Sequence, residues 1–189
     1  MQTGETVEIQ RRLFTVIEYD RFIEAGVLTE DDPVELINGE VVKMSPISSP
    51  HVGCVNRLNR LFSQRLGNEV ILHIQNPIHL DKYSEPEPDV VLLKFRDDYY
   101  AESLPRPTDV LLLIEVADTS LSYDRRVKVP LYAKAGIREV WVVDVENRLV
   151  YVHRNPVKGK YHEALIVKSG DAITPSAFPE MTVSLEEMI

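Results

Sequence analysis

The sequence predicts a mixed α/β (α+β) fold, on three observations. Short apolar runs that suit buried strands are interleaved with stretches of helical period, an Asn-Gly pair links two short strand-like runs near the N-terminus, and turn-linked strands follow in the C-terminal part. The central run is Val110-Leu111-Leu112-Leu113-Ile114. It is continuously apolar, too short for a membrane span, and reads as a strand buried on both faces. The expected architecture is a mixed central sheet flanked by helices, with an N-terminal hairpin and C-terminal strands.

In chain order, residues 1–13 read as a loose leader. Thr15 and Glu18 form a capping box for a short helix that Gly26 ends. Val34 to Ile37, Asn38-Gly39 and Glu40 to Met44 spell a hairpin with a type I′ turn. A proline- and serine-bearing loop leads into a helix over about His51 to Leu66, whose core stripe is Val52, Val55, Leu58, Leu61, Phe62 and Leu66. Val70 to Gln75 and Ile78 to Leu80 read as strands, and Glu85-Pro86-Glu87-Pro88 as a stiff segment delivering Asp89 to the strand Asp89 to Leu93. After the central strand, a helix over about Ser122 to Ala135 crosses over to a strand at Val140 to Val145. Pro130 within that helix requires a displaced first turn or a later start. Leu149 to His153, a turn over Asn155 to Lys160, Tyr161 to Val167 and a short helix near Leu185 to Met188 complete the chain.

At 189 residues, 44% hydrophobic and 27% charged, the chain suits one domain, 1–189, with a sizeable core. Its N-terminal stretch is polar, so secretion is not expected, and the single Cys54 excludes an internal disulfide or a cysteine metal cluster. Both fit a cytoplasmic protein with no membrane partner. The net charge of −9 argues against a nonspecific nucleic-acid coat. The charge is uneven, however. His51 to Asn68 and Arg125 to Arg138 carry only basic charges, which read either as a local basic face or as two ordinary solvated helix faces.

The chemistry centres on Glu115, which ends the core strand. A buried carboxylate must be protonated, paired or metal-bound. Asp89 opens the second apolar strand, and together the two acids suit one hard cation, Mg²⁺ with Mn²⁺ as substitute, because Mg²⁺ takes one or two carboxylates plus waters and phosphate. At 100° per residue, Lys128 falls inside the apolar arc of Val127, Leu131, Tyr132 and Ala135, whereas Lys134 falls at its edge or outside. An inward lysine meets a carboxylate or a ligand, or snorkels at the core edge. His51, in the first turn of its helix, is positioned to contact an anion or a metal site, or simply to pack locally. His51, Arg125 and Tyr132 are the candidate substrate contacts. No glycine-rich phosphate loop, His-Glu-x-x-His or Gly-x-Ser-x-Gly occurs.

Pro88-Asp89 followed by Glu115 at the end of an apolar strand resembles the PD-(D/E)XK nuclease superfamily. A closer resemblance is to the Uma-two family of proposed endonucleases, which has a restriction-endonuclease-like fold. It is carried by Asn38-Gly39-Glu40, Ser49-Pro50-His51, Pro88-Asp89, Ile114-Glu115-Val116, Asp124, Lys128, Tyr132, Gly136 and Val140-Trp141-Val142-Val143-Asp144. The superfamily lysine usually stands two residues after the glutamate, where this chain has Ala117; Lys128 matches a lysine moved onto the following helix. Asp118-Thr119 stands where family members often have Ser-Pro. The resemblance implies a Mg²⁺-dependent endonuclease acting on phosphodiester bonds, with DNA the favoured substrate and a homodimer able to cut both strands. Asp89 and Glu115 would hold the metal, Lys128 would assist the attacking water, and Glu40 would be an auxiliary acid. The rival is a non-catalytic DNA- or protein-binding module that retains the fold.

Overall fold

The structure is a computed structural model that describes residues 11–29 and 31–189. Most of the expected leader, residues 1–10 of 1–13, lies outside the described residues.

Six strands form the central sheet: β3 (Val70–Ile74), β4 (Val90–Lys94), β5 (Val110–Ala117), β6 (Glu139–Asp144), β7 (Leu149–Val157) and β8 (Lys160–Val167), in that spatial order. Only β5 and β6 run parallel; every other neighbouring pair is antiparallel. The parallel pair needs a crossover, and the helical segment after Glu115 supplies it.

Cover on both faces explains why β4 from Val90 to Leu93 and β5 from Val110 to Ile114 are apolar. Val90, Leu92, Leu112, Ile114 and Val116 point to one face, where helix α2 (Ser49–Leu66) covers them with Cys54, Val55, Leu58, Phe62 and Leu66. Val91, Leu93, Leu113 and Ala117 point to the other, where Val129, Leu131 and Tyr132 of α4 (Val129–Ala135) pack. Each such fully buried aliphatic side chain contributes about 1.5–3 kcal/mol. Trp141 is fully buried and lies against Phe62, with ring centroids 6.5 Å apart.

The N-terminal part docks on this body as a unit. Helix α1 (Val16–Glu24) carries the Thr15–Glu18 capping box. Strands β1 (Val34–Ile37) and β2 (Glu40–Lys43) form the hairpin, with positive φ at Asn38 and Gly39 as a type I′ turn requires. Gly39 is fixed by more than φ, since a Cβ there would stand 2.6 Å from that of Leu13. The N–H of Glu85 donates to Leu36 O at 2.8 Å and that of Gly39 to Tyr83 O at 2.7 Å, fastening the hairpin to the segment before β4.

Several boundaries differ from expectation. Ile78 to Leu80 is not a strand: Ile78 and Leu80 are buried, but the backbone N–H groups of residues 78 and 79 bond to Pro86 and Pro105 rather than to a strand ladder. Asp89 lies just before β4 rather than within it. Strands β7 and β8 run on to a tight turn at Lys158-Gly159, so most of the expected Asn155 to Lys160 turn is strand. A small pair, β9 (Ala172–Ile173) with β10 (Val183–Ser184), precedes the closing helix α5 (Leu185–Met188). The crossover begins with α3 (Leu121–Tyr123), passes through one π turn over Asp124–Lys128, and continues as α4. Pro130 therefore sits in the first turn of α4, where its missing N–H is harmless.

Candidate active site

The site lies at one end of the central strands. Val90 faces Ile114 across the β4–β5 ladder, so the next step along each chain brings Asp89 and Glu115 to the same sheet end. The Val116 N–H donates to Asp89 Oδ2 at 2.8 Å, tying Asp89 to the residue that follows Glu115. From α2, His51 Nε2 stands 2.9 Å from Asp89 Oδ1. Ser48 caps that helix, and its hydroxyl also donates to Asp118 in the loop after β5.

The π turn delivers the lysine. Lys128 Nζ lies 3.1 Å from Glu35 Oε2 and 3.2 Å from Glu115 Oε1. Both Lys128 and Glu115 are almost wholly buried, at 6% and 2% exposure, whereas Lys134 is exposed. Single π turns inside helices concentrate at functional sites, and this one sets both Asp124 and Lys128 inward. Ser120 Oγ donates to Asp124 Oδ2 at 2.6 Å. Behind the site, the fully buried Tyr132 donates its O–H to Glu115 Oε1, the same oxygen that faces Lys128.

These groups border a cavity of about 740 Å³. Glu35, His51, Asp89, Glu115, Asp124 and Lys128 line it, together with the apolar Val42, Met44, Pro46 and Ile47. Burial pushes the Glu115 carboxyl up to about 8, with Lys128 opposing the shift and Asp124 and Asp89 adding to it. Burial also disfavours the Lys128 ammonium, but Glu115, Glu35 and Asp124 outweigh it and raise the lysine above its ordinary value. The acids around Lys128 thus favour its charged form. The hydrogen bond to Asp89 raises His51, against the opposing effect of burial.

Four candidate residues, Asp89, Glu115, Lys128 and His51, converge on this cavity; three do not. Glu40 is exposed at the turn end of the hairpin and pairs with Arg11 at 2.7 Å. The acid that the hairpin brings to the cavity is Glu35, which faces Val42 across the ladder, while Glu40 faces Ile37. Glu35 is buried and is held by the Glu87 N–H at 3.2 Å as well as by Lys128. Arg125 is exposed and stacks on the Tyr151 ring at 3.9 Å, away from the cavity lining. Tyr132 is sealed behind Glu115 with no exposure, so it orients that carboxylate and cannot touch a substrate. Glu35 carries the signal that singled out Glu115: one carboxylate inside an otherwise apolar strand, Val34-Glu35-Leu36-Ile37.

The donor chemistry suits a hard cation in part. Among the described residues no group of three His, Cys, Asp or Glu side chains stands ready to cage a metal. Two carboxylates from Asp89 and Glu115, completed by water and phosphate oxygens, match the way Mg²⁺ is commonly held. Tyr132 and Lys128 both engage Glu115 Oε1, and no protein donor among the described residues engages Oε2.

The fold is shared with a solved structure. It matches the crystal structure of a "putative nuclease belonging to DUF820" from Anabaena variabilis ATCC 29413, with a TM-score of 0.71 at 15% identity, covering 93% of this chain and 97% of that one. The Uma2 family model, described as "Putative restriction endonuclease", matches residues 16–186, and the chain belongs to that family. No similar protein was found among curated proteins. No helix among the described residues is long and apolar enough to cross a membrane.

Proposed function

We propose that this chain is a metal-dependent endonuclease that hydrolyses phosphodiester bonds, with DNA as substrate. The observation that carries the reading is the Lys128 ammonium held 3.2 Å from Glu115 at the edge of a cavity that Asp89 also lines. Asp89 and Glu115 would hold Mg²⁺, or Mn²⁺ in its place. The bound cation would supply Lewis-acid charge and a water of lowered pKa. The Lys128 ammonium would orient the attacking water or neutralise a phosphoryl oxygen as charge develops there. Glu35 holds Lys128 from the far side, His51 fixes Asp89, and Tyr132 fixes Glu115.

Incubation of purified protein with supercoiled plasmid and Mg²⁺ or Mn²⁺ tests the activity. Nicked or linear product, abolished by chelator and absent in Asp89→Asn, is expected. An intact plasmid under all metal conditions would favour the non-catalytic binding module, a reading supported by the net charge of −9.

Cutting both strands of a duplex calls for two sites, and a homodimer would provide them. Strand β8 ends the sheet and exposes Ile166 at 50%, offering an edge for self-association. Sedimentation showing only monomer at tens of micromolar would remove this assembly. The single buried Cys54 suits a reducing cytoplasm.

A further inference from the structure

We propose that the site accepts an unpaired nucleotide, so that single-stranded nucleic acid is bound in preference to a continuous duplex, with the base against the apolar residues that line the cavity together with Asp89 and Glu115. The proposal rests on the nuclease reading and narrows its substrate.

Three observations carry it. First, the groups assigned to the chemistry are recessed: Glu115 and Lys128 line the cavity yet are only 2% and 6% exposed. A duplex is stiff, and bending its backbone into a recess costs deformation energy that a flexible unpaired strand does not bear.

Second, the volume fits one nucleotide. About 740 Å³ lies within the roughly 300–1,000 Å³ of pockets that enclose a small organic ligand. Its apolar lining comes from Val42 at the end of the hairpin and from Met44, Pro46 and Ile47 in the loop before α2. Tyr123, half-buried on the cavity lining, adds a ring on which a base can stack.

Third, the charge around the cavity is wrong for tracking a duplex. Carboxylates outnumber lysines six to two among the lining residues. Duplex affinity is built from many phosphate contacts with Lys and Arg, which this lining, with two lysines and no arginine, does not offer. A single phosphate drawn to a bound cation and Lys128, with its base held by apolar contact, needs no such track.

The test uses the full chain in Ca²⁺ buffer. Fluorescein-labelled single-stranded DNA, RNA of the same sequence and the blunt DNA duplex are titrated separately and followed by anisotropy. The same strands are then incubated with Mg²⁺ and resolved on a gel. A single strand, DNA or RNA, is expected to bind at least tenfold tighter than the duplex, and the two arms identify the sugar. Ile47→Asp, at a position 62% exposed, is expected to weaken single-strand binding about tenfold without shifting the melting temperature. Duplex binding equal to or tighter than single-strand binding, absence of binding to any strand, or an Ile47→Asp protein that binds normally would overturn the proposal. Duplex cleavage without single-strand preference overturns it too, while the nuclease reading stands. Single-strand preference without cleavage supports the binding mode and removes the nuclease activity instead.

Discussion

Lys128 and Glu115 meet with the ammonium 3.2 Å from Oε1, both inside the protein and both beside Asp124, with Glu35 also on the lysine. The lysine is therefore a structural group as well as a proposed participant in the chemistry. Lys128→Ala leaves Glu35 buried without its cation, and breaking such a pair costs about 3–5 kcal/mol. The variant is expected to unfold at lower denaturant and to lose cleavage. Lys134→Ala, on the exposed side of α4, should stay within about 0.5 kcal/mol of wild type and keep its activity. Denaturant melts and plasmid assays on both variants check this; indistinguishable behaviour of the two would contradict it.

The hairpin acid at the site is Glu35. Glu35→Gln removes a charge that faces Lys128 at 3.1 Å and should lower cleavage by at least tenfold. Glu40→Gln removes only an exposed pair with Arg11, worth about 0–1 kcal/mol, and should leave the rate unchanged. Initial rates of the two variants at saturating Mg²⁺ decide between them. A silent Glu35→Gln beside an impaired Glu40→Gln would return the auxiliary role to Glu40.

Tyr132 acts through Glu115. Tyr132→Phe keeps the ring and deletes the O–H that holds Oε1. Losing a group that orients a metal ligand typically weakens metal affinity about 10–100-fold, with a stability loss of about 0.5–1.5 kcal/mol. Calorimetric titration with Mn²⁺ measures the affinity directly. An unchanged affinity would reduce Tyr132 to a packing residue.

A second buried acid gives a pH dependence away from the cavity. Burial, then the charges of Asp20 and Glu87, push the Glu85 carboxyl from its ordinary 4.5 up to about 7. Its pKa is raised on folding, so the folded state binds more protons than the unfolded state between these values. Its contribution to stability is complete below about 4.5 and is lost as pH rises through about 7. Glu85→Gln, which cannot ionise, should flatten that decline and melt higher than wild type at pH 8 by roughly 2–4 °C per kcal/mol recovered. Melting curves from pH 5 to pH 8 test it, and parallel slopes for the two proteins would contradict it.

Much of this could be read from the residues because the signals were local. Val110 to Ile114 could only be an interior strand, Asn38-Gly39 could only turn, and Thr15 with Glu18 announced a helix start. The inward turn of Lys128 followed from helical spacing, even though the backbone there is a π turn. That turn was not legible, because it depends on how Lys128 is held by Glu35 and Glu115, both distant in the chain. The resemblance points to Glu40 through Asn38-Gly39-Glu40, and only docking of the hairpin on the segment before β4 brings Glu35 to the cavity instead. Arg125 lay in a basic run whose charge says nothing about direction; its partner is the Tyr151 ring on β7. Strands β9 and β10 are two residues each, too short for any alternation to appear.

The central claim is that Asp89 and Glu115 hold one cation, and thermal unfolding of wild type and Glu115→Gln in Mn²⁺ or chelator tests it most directly. Burial already drives the Glu115 carboxyl toward its protonated form, and Lys128 keeps Glu35 as a partner. Glu115→Gln should therefore melt in chelator at or above the wild-type temperature. Mn²⁺ at about a hundred times its dissociation constant should stabilise the wild type by about 2.7 kcal/mol and leave Glu115→Gln unmoved. A wild type indifferent to Mn²⁺, beside a Glu115→Gln protein destabilised by about 3–5 kcal/mol, would mean that Glu115 exists to neutralise Lys128 and that the site holds no metal.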